Sequence, residues 1–229
     1  LGAANTGTLI NVATRAFVGT GDQVLIAGFV VDGTQPKRML LRAAGPALTA
    51  FGVSGVIGNP TLRVVAQANG AQVAFNDNWS AQTSGSAADI SAAAAQVAAF
   101  PFAANSADAA LLVTLTPGAY TAGGEGVGGV TGSGLIEAYD VDRGANKIIN
   151  LSTRGYADHN GKEMFGGFVV QGAAGTTKRI LVRVLGPTLG RTPYNITSAM
   201  NDPFLEIHNA TGELLLQNDD WSSGTVAGP

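Results

Sequence analysis

Two short stretches carry the residue types most able to do chemistry. They are Asn76-Asp77-Asn78-Trp79 and Asn218-Asp219-Asp220-Trp221, the same motif met twice. Clustered Asp and Asn oxygens suit Ca²⁺, a hard cation that takes six to eight oxygens. That makes Asn76, Asp77, Asp219 and Asp220 the candidate ligands, with further oxygens from Asp140, Asp142 or backbone carbonyls. The competing reading is structural: Asn and Asp shape an Asx-type turn at a strand end while Trp plugs the sandwich edge. The first copy holds one carboxylate and neither copy has the D-x-D-x-D-G spacing, which favours the turn.

Cations recur as well: Arg15 and Arg154, Arg42 and Arg183, Lys37-Arg38 and Lys178-Arg179. As an anion site they would have to converge in a cleft. As structure, each flanks or ends a strand, where it can satisfy carbonyls and pair with Asp22 or Asp77. Gly124, Gly126 and Gly129 meet the G-x-G-x-x-G pattern but lead into a strand, without the helix N-terminus a phosphate needs. His159 and His208 are isolated, there is no G-x-S-x-G, and the acids are sparse and mostly in turns. The expectation is therefore a protein that is not an enzyme. Phe29, Phe51, Phe168 and Tyr139 read as core, which leaves Tyr120 and Tyr156 as the rings available to a carbohydrate.

These residues sit on a repeated framework. Residues 9–18 (LINVATRAFV) align with 148–157 (IINLSTRGYA), and AGFVVDG (27–33) with GGFVVQG (166–172), both at an offset of 139. KRMLLRAAGPAL (37–48) then matches KRILVRVLGPTL (178–189), NPTLRV (59–64) matches DPFLEI (202–207), and the Trp motifs follow. Five blocks in one order mean a module of about 140 residues present nearly twice. The second copy is short: 63 residues follow Trp79 through Asp142, but only 8 follow Trp221.

Within copy one, strands are predicted over 8–13, 23–31, 37–44, 61–66, 71–75, 109–116, 118–123 and 133–140, with Pro117-Gly118 setting a hairpin turn. The Ala-rich stretch 87–99 is the one predicted helix. The fold class is thus all-β: two tandem jelly-roll-like β-sandwich modules, 1–143 and 144–229, with one short helix in the first and the second incomplete. Composition narrows the rest. Charged residues are 13% of 229, about half the usual share, and 32 Gly are about twice it. A pI of 5.3 without a basic block argues against nucleic acid. No apolar run approaches the roughly 18 residues of a membrane span, and zero Cys removes disulfide and thiolate chemistry. The opening Leu-Gly-Ala-Ala-Asn suits a processed secreted protein or a fragment. Sequons at Asn78, Asn150, Asn195 and Asn209 permit glycosylation.

The string formed by N-x-[AS]-T-R, LIAGFV, PKR-x-L-x-RA-x-GP, NDNW and LTPGAYTA resembles a tandem module found near the ends of large secreted bacterial proteins. Its TLTPGAYTA hairpin also resembles the pre-peptidase C-terminal jelly-roll family. The resemblance implies an extracellular or cell-surface bacterial β-sandwich and carries no catalytic residue across. The expectation that follows is a structural component of the cell exterior, such as a filament or stalk subunit that partners itself. The alternative is a carbohydrate-binding or adhesin module that meets surface glycans. A half sandwich leaves apolar faces and open edges. The strand-like Leu1–Ala13, with Leu9, Ile10 and Val12, is a candidate donor that would complete a neighbour by strand addition. The plain alternative is a fragment whose remainder is cut away.

Overall fold

The computed structural model describes residues 7–82, 85–142, 144, 146–158 and 161–224, and the backbone of 226–227. His159 and residues 1–6 of the candidate donor lie outside them. Eight strands come from copy one: β1 (Thr8–Val18), β2 (Leu25–Asp32), β3 (Lys37–Ala44), β4 (Leu62–Ala66), β5 (Gln72–Asn76), β6 (Ala109–Leu115), β7 (Gly118–Gly124) and β8 (Gly132–Asp140). One helix, α1 (Ala87–Gln96), lies between β5 and β6. All the strands pair antiparallel, in the orders 1-8-3-6 and 5-4-7-2, which is the jelly-roll order.

Side-chain alternation explains the layers. Met39, Leu41 and Ala43 of β3 turn inward to the sandwich core with Phe29, Val31, Leu62, Val64, Leu111 and Ile136. The intervening Leu40 turns outward, yet it too is buried, because α1 covers that face. Ile90, Ala93 and Ala94 of the helix pack with Leu40, Ala110, Tyr139 and Trp79 into a second apolar layer. A reciprocal capping box starts the helix: Ser86 Oγ accepts from Asp89 N, and Asp89 Oδ2 accepts from Ser86 N. Gln96 ties its end to the Val141 carbonyl at 2.8 Å.

The chain divides into two compact units, Leu1–Lys178 and Arg179–Pro229, so the break falls well beyond the 143/144 boundary that the repeat suggested. The reason is a strand exchange. Copy two begins with β9 (Lys147–Arg154) and β10 (Phe165–Gln171), the counterparts of β1 and β2. β9 pairs with β2, and β10 pairs with β1, extending the sheets to 10-1-8-3-6 and 5-4-7-2-9. The two pairings are copies of one another. Arg15↔Phe165 becomes Ile26↔Arg154 when the repeat offset is applied, and Val12↔Phe168 becomes Phe29↔Leu151. The register slip between Leu9 and Asn11 likewise recurs between Ile148 and Asn150. A local pseudo-two-fold therefore relates the opening strands of the two copies. Ile148 is 2% exposed in the core of copy one, and Leu151 packs against that core.

The second unit repeats copy one locally. β11 (Leu205–His208) and β12 (Leu214–Asn218) pair with Leu205 opposite Asn218, as Leu62 faces Asn76, and β13 (Val226–Ala227) adds a third strand. Gly186 adopts the backbone of Gly45, and in each case a Cβ would run into a carbonyl oxygen, that of Met200 or Ile57. Tertiary burial is lost, however. Gly186 is the only buried residue among the described residues of this unit. Residues 179–185, predicted as the counterpart of β3, form no strand, and Leu181 is 82% exposed.

Candidate functional site

The Asn-Asp-Asn-Trp motif proves to be a clamp. Asn76 donates through Nδ2 to the carbonyls of Asn78 (3.0 Å) and Ala81 (3.2 Å) and accepts from the Ala110 amide (3.1 Å). Its amide is thereby consumed in joining β5 to β6. Asn218 repeats the clamp on the carbonyls of Asp220 and Gly224. Among the described residues no three His, Cys, Asp or Glu side chains gather to hold a metal. Asp77 follows the Asn76 clamp in the first unit, and Asp219 and Asp220 follow the Asn218 clamp in the second. Trp79 is buried under α1 rather than at the sandwich edge. It donates through Nε1 to the Ala103 carbonyl (3.1 Å) and meets Phe102 edge to face. Trp221 stands 93% exposed.

Two of the repeated cations of copy one, Lys37 and Arg42, find their partners on β8 and just past its end, not at Asp22 or Asp77. Lys37, fully buried, lies 2.8 Å from Asp140 and 2.9 Å from Asp142 and donates to the Asn146 carbonyl. Arg42 faces the helix layer, where its Nε lies 3.0 Å from Glu137 and its Nη1 donates to the Phe100 carbonyl. Its guanidinium lies against both Phe100 and Phe102, 4.2 and 4.1 Å from their centroids. Burial pushes the Glu137 carboxyl up, against the pull of Arg42 and of the Tyr139 hydroxyl that donates to it at 2.6 Å. Burial and Glu137 push Tyr139 up in turn. Burial alone would raise Asp142, but the Arg38 amide and Lys37 outweigh it and hold this carboxyl at about 2. Every charge here is spent on a neighbour, which is structural work. The spacing Glu137-x-x-Asp140-x-Asp142 was visible in the sequence. Repeat comparison could not flag it, because copy two has no counterpart.

Two surface features remain. One is a groove of about 330 Å³ lined by Arg15, Phe17, Phe51, Lys162, Glu163 and Phe165 among others. Arg15 lies over Phe165 at 4.4 Å, and Lys162 over Phe17 at 4.2 Å. Tyr156 borders it, edge-on to Phe17 and part-buried, with its hydroxyl on Asp158. Tyr120, the other ring expected to face solvent, is 6% exposed, stacks on Phe29 and donates to the Thr116 carbonyl. Phe51 and Phe168, expected in the core, are exposed, while Phe29 and Tyr139 are buried.

The second feature is the outer edges of β9 and β10. Each is the last strand of its sheet, and every residue of β10 is exposed, Phe165, Phe168, Val169 and Val170 included. Ile149 of β9 is 55% exposed. The candidate donor residues do not supply a free strand. Val12 lies between Phe168 and Ala138, paired on both sides, and Leu9 pairs with Val170 within the same chain. Ile10 occupies the slip beside it. The Gly124–Gly129 loop meets a single-turn 3₁₀ segment and then β8, so it forms no phosphate cradle. No family model, curated protein or solved structure matches the chain, so the functional reading rests on this geometry.

Proposed function

We propose that this protein is a non-enzymatic structural component of the bacterial cell exterior, a unit of an extracellular filament or stalk joined through β-strand contacts. One observation carries the reading: sheets pass from one repeat into the next, and the last strand of each ends in an open edge beside exposed apolar side chains. Such edges are templates for pairing with another chain. The weakly charged, Gly-rich composition and the resemblance to tandem modules of secreted bacterial proteins support the location. Electron microscopy and sedimentation of the purified chain test it. Strings or fibres are expected, dissolved by Ile149→Lys with Val169→Lys. Compact monomers at every concentration would overturn it.

A carbohydrate-binding or adhesin role is the second reading, favoured by the groove in which the exposed Phe51 and Phe165 flank Arg15 and Lys162. Aromatic rings beside polar groups suit a sugar ring. A glycan array tests this reading, with loss of binding on Phe51→Ala or Phe165→Ala as its signature.

A further inference from the structure

The two buried cations of copy one differ in what they can become. The Arg42 guanidinium keeps its protons in any protein, whereas Lys37 becomes a nucleophilic amine on losing one. Lys37 Nζ lies 2.8 Å from Oδ1 of Asp140, and the two side chains are 0% and 1% exposed. The carboxyl carbon of Asp140 is at most one C–O bond farther. A small shift therefore gives the roughly 3–3.5 Å of a near-attack contact.

The strands fix that approach. Met39 of β3 faces Asp140 of β8, the Val141 amide donates to the Arg38 carbonyl, and the Arg38 amide donates to Asp142 Oδ2. Lys37 also donates to Asp142 Oδ1 (2.9 Å) and to the Asn146 carbonyl (2.8 Å), which together aim its nitrogen. Protons are placed for a reaction too. Burial would raise the Asp142 carboxyl, but the Arg38 amide, Lys37 and a hydrogen bond with Asp140 hold it at about 2. A hydrogen bond between two carboxyls needs a proton on one of them. That proton rests on Asp140, which leaves Asp142 ionised and able to act as a base.

We infer that Lys37 and Asp140 form a self-modification site: Lys37 Nζ and Asp140 Cγ condense to an isopeptide bond between β3 and β8, with Asp142 relaying the protons. Asp142 takes a proton from the Lys37 ammonium. The free amine attacks the carbonyl carbon of protonated Asp140, and the C–N bond forms. Asp142 returns its proton to the Asp140 hydroxyl, which leaves as water as the C–O bond breaks, and then accepts the proton the nitrogen sheds. The products are one amide, one water and a protonated Asp142, whose 38% exposure lets it discharge to solvent. A buried ion pair bears the desolvation of its charges, and a neutral amide does not, which favours the product. The bond would close the loop from residue 37 to residue 140 in a chain with no Cys for a disulfide. It goes beyond the strand-contact reading and does not depend on it.

Mass spectrometry of the full chain, denatured and then digested with trypsin, tests this. The expected intact mass is that of the sequence less one water. Peptides 16–38 and 64–143 should appear joined, with cleavage after Lys37 blocked. Lys37→Arg keeps the charge without the amine and should restore the full mass and separate the two peptides. Asp142→Asn, followed from cell-free synthesis onward, should slow the mass change by about 100-fold or more. A chain of full mass with the two peptides separate, after days folded at neutral pH, overturns the inference. So does a missing water that persists in Lys37→Arg. Bond formation that is equally fast in Asp142→Asn overturns the relay. The peptide map of the unsubstituted chain decides the outcome even if Lys37→Arg does not fold.

Discussion

Ile148 and Ile149 are neighbours in sequence with opposite fates, and the strand exchange makes their difference measurable. Ile148 is 2% exposed, sits opposite Val31 and belongs to the sandwich core of copy one, although the repeat assigns it to copy two. Ile149 occupies the register slip and is 55% exposed. Ile148→Ala removes buried methyl groups and leaves a cavity, a loss of about 2–5 kcal/mol. For a unit of this size that corresponds to a fall in melting temperature of roughly 4–20 °C. Ile149→Ala removes contacts mostly with water and should stay within about 0.5 kcal/mol. Urea unfolding followed by tryptophan emission reads the right unit, because Trp79 is buried there while Trp221 is solvated in the folded chain. Equal effects of the two substitutions, or an unchanged Trp79 transition in Ile148→Ala, would refute the exchange and return copy one to a self-sufficient module.

Arg42→Met leaves Glu137 buried without its partner and should cost about 3–5 kcal/mol, while Arg42→Met with Glu137→Leu costs less; a thermal double-mutant cycle checks the sign. Asp142 is lowered in the folded chain, so its contribution is complete above the ordinary carboxylate value near 3.8 and is lost as pH falls through about 2. Asp142→Asn should therefore flatten the acid limb of the stability–pH curve in that window and leave the limb above it unchanged in slope. Asn76→Ala strands the buried Ala110 amide and should cost about 1–3 kcal/mol by chemical denaturation, more than the exposed Asn69→Ala. Chelator should leave the melting curve unmoved; a drop abolished by Asp77→Ala would restore the Ca²⁺ reading.

The strands themselves were legible in the sequence. The strands read at 37–44 and 109–116 and the Pro117-Gly118 turn depend on neighbours a few residues away, and each fell within a residue of where the pattern placed it. The repeat was legible too, since aligned residue types need no coordinates. Other features rested on contacts between distant segments. Nothing local says that Arg42 faces an aromatic layer built by residues 100–102, or that Lys37 meets acids more than 100 residues away. In the turn motif, composition cannot show that the Asn76 amide is spent on three backbone partners. The division into compact units falls beyond the repeat boundary for a related reason. Sequence similarity marks where a repeat begins, but hydrogen-bonding partners decide where a folded unit ends, and here β9 and β10 complete the sheets of the preceding copy. Lys178 and Trp221 keep the identities of Lys37 and Trp79 while lacking their surroundings. Sequence sets what a side chain offers; only the packed structure decides whether anything meets it.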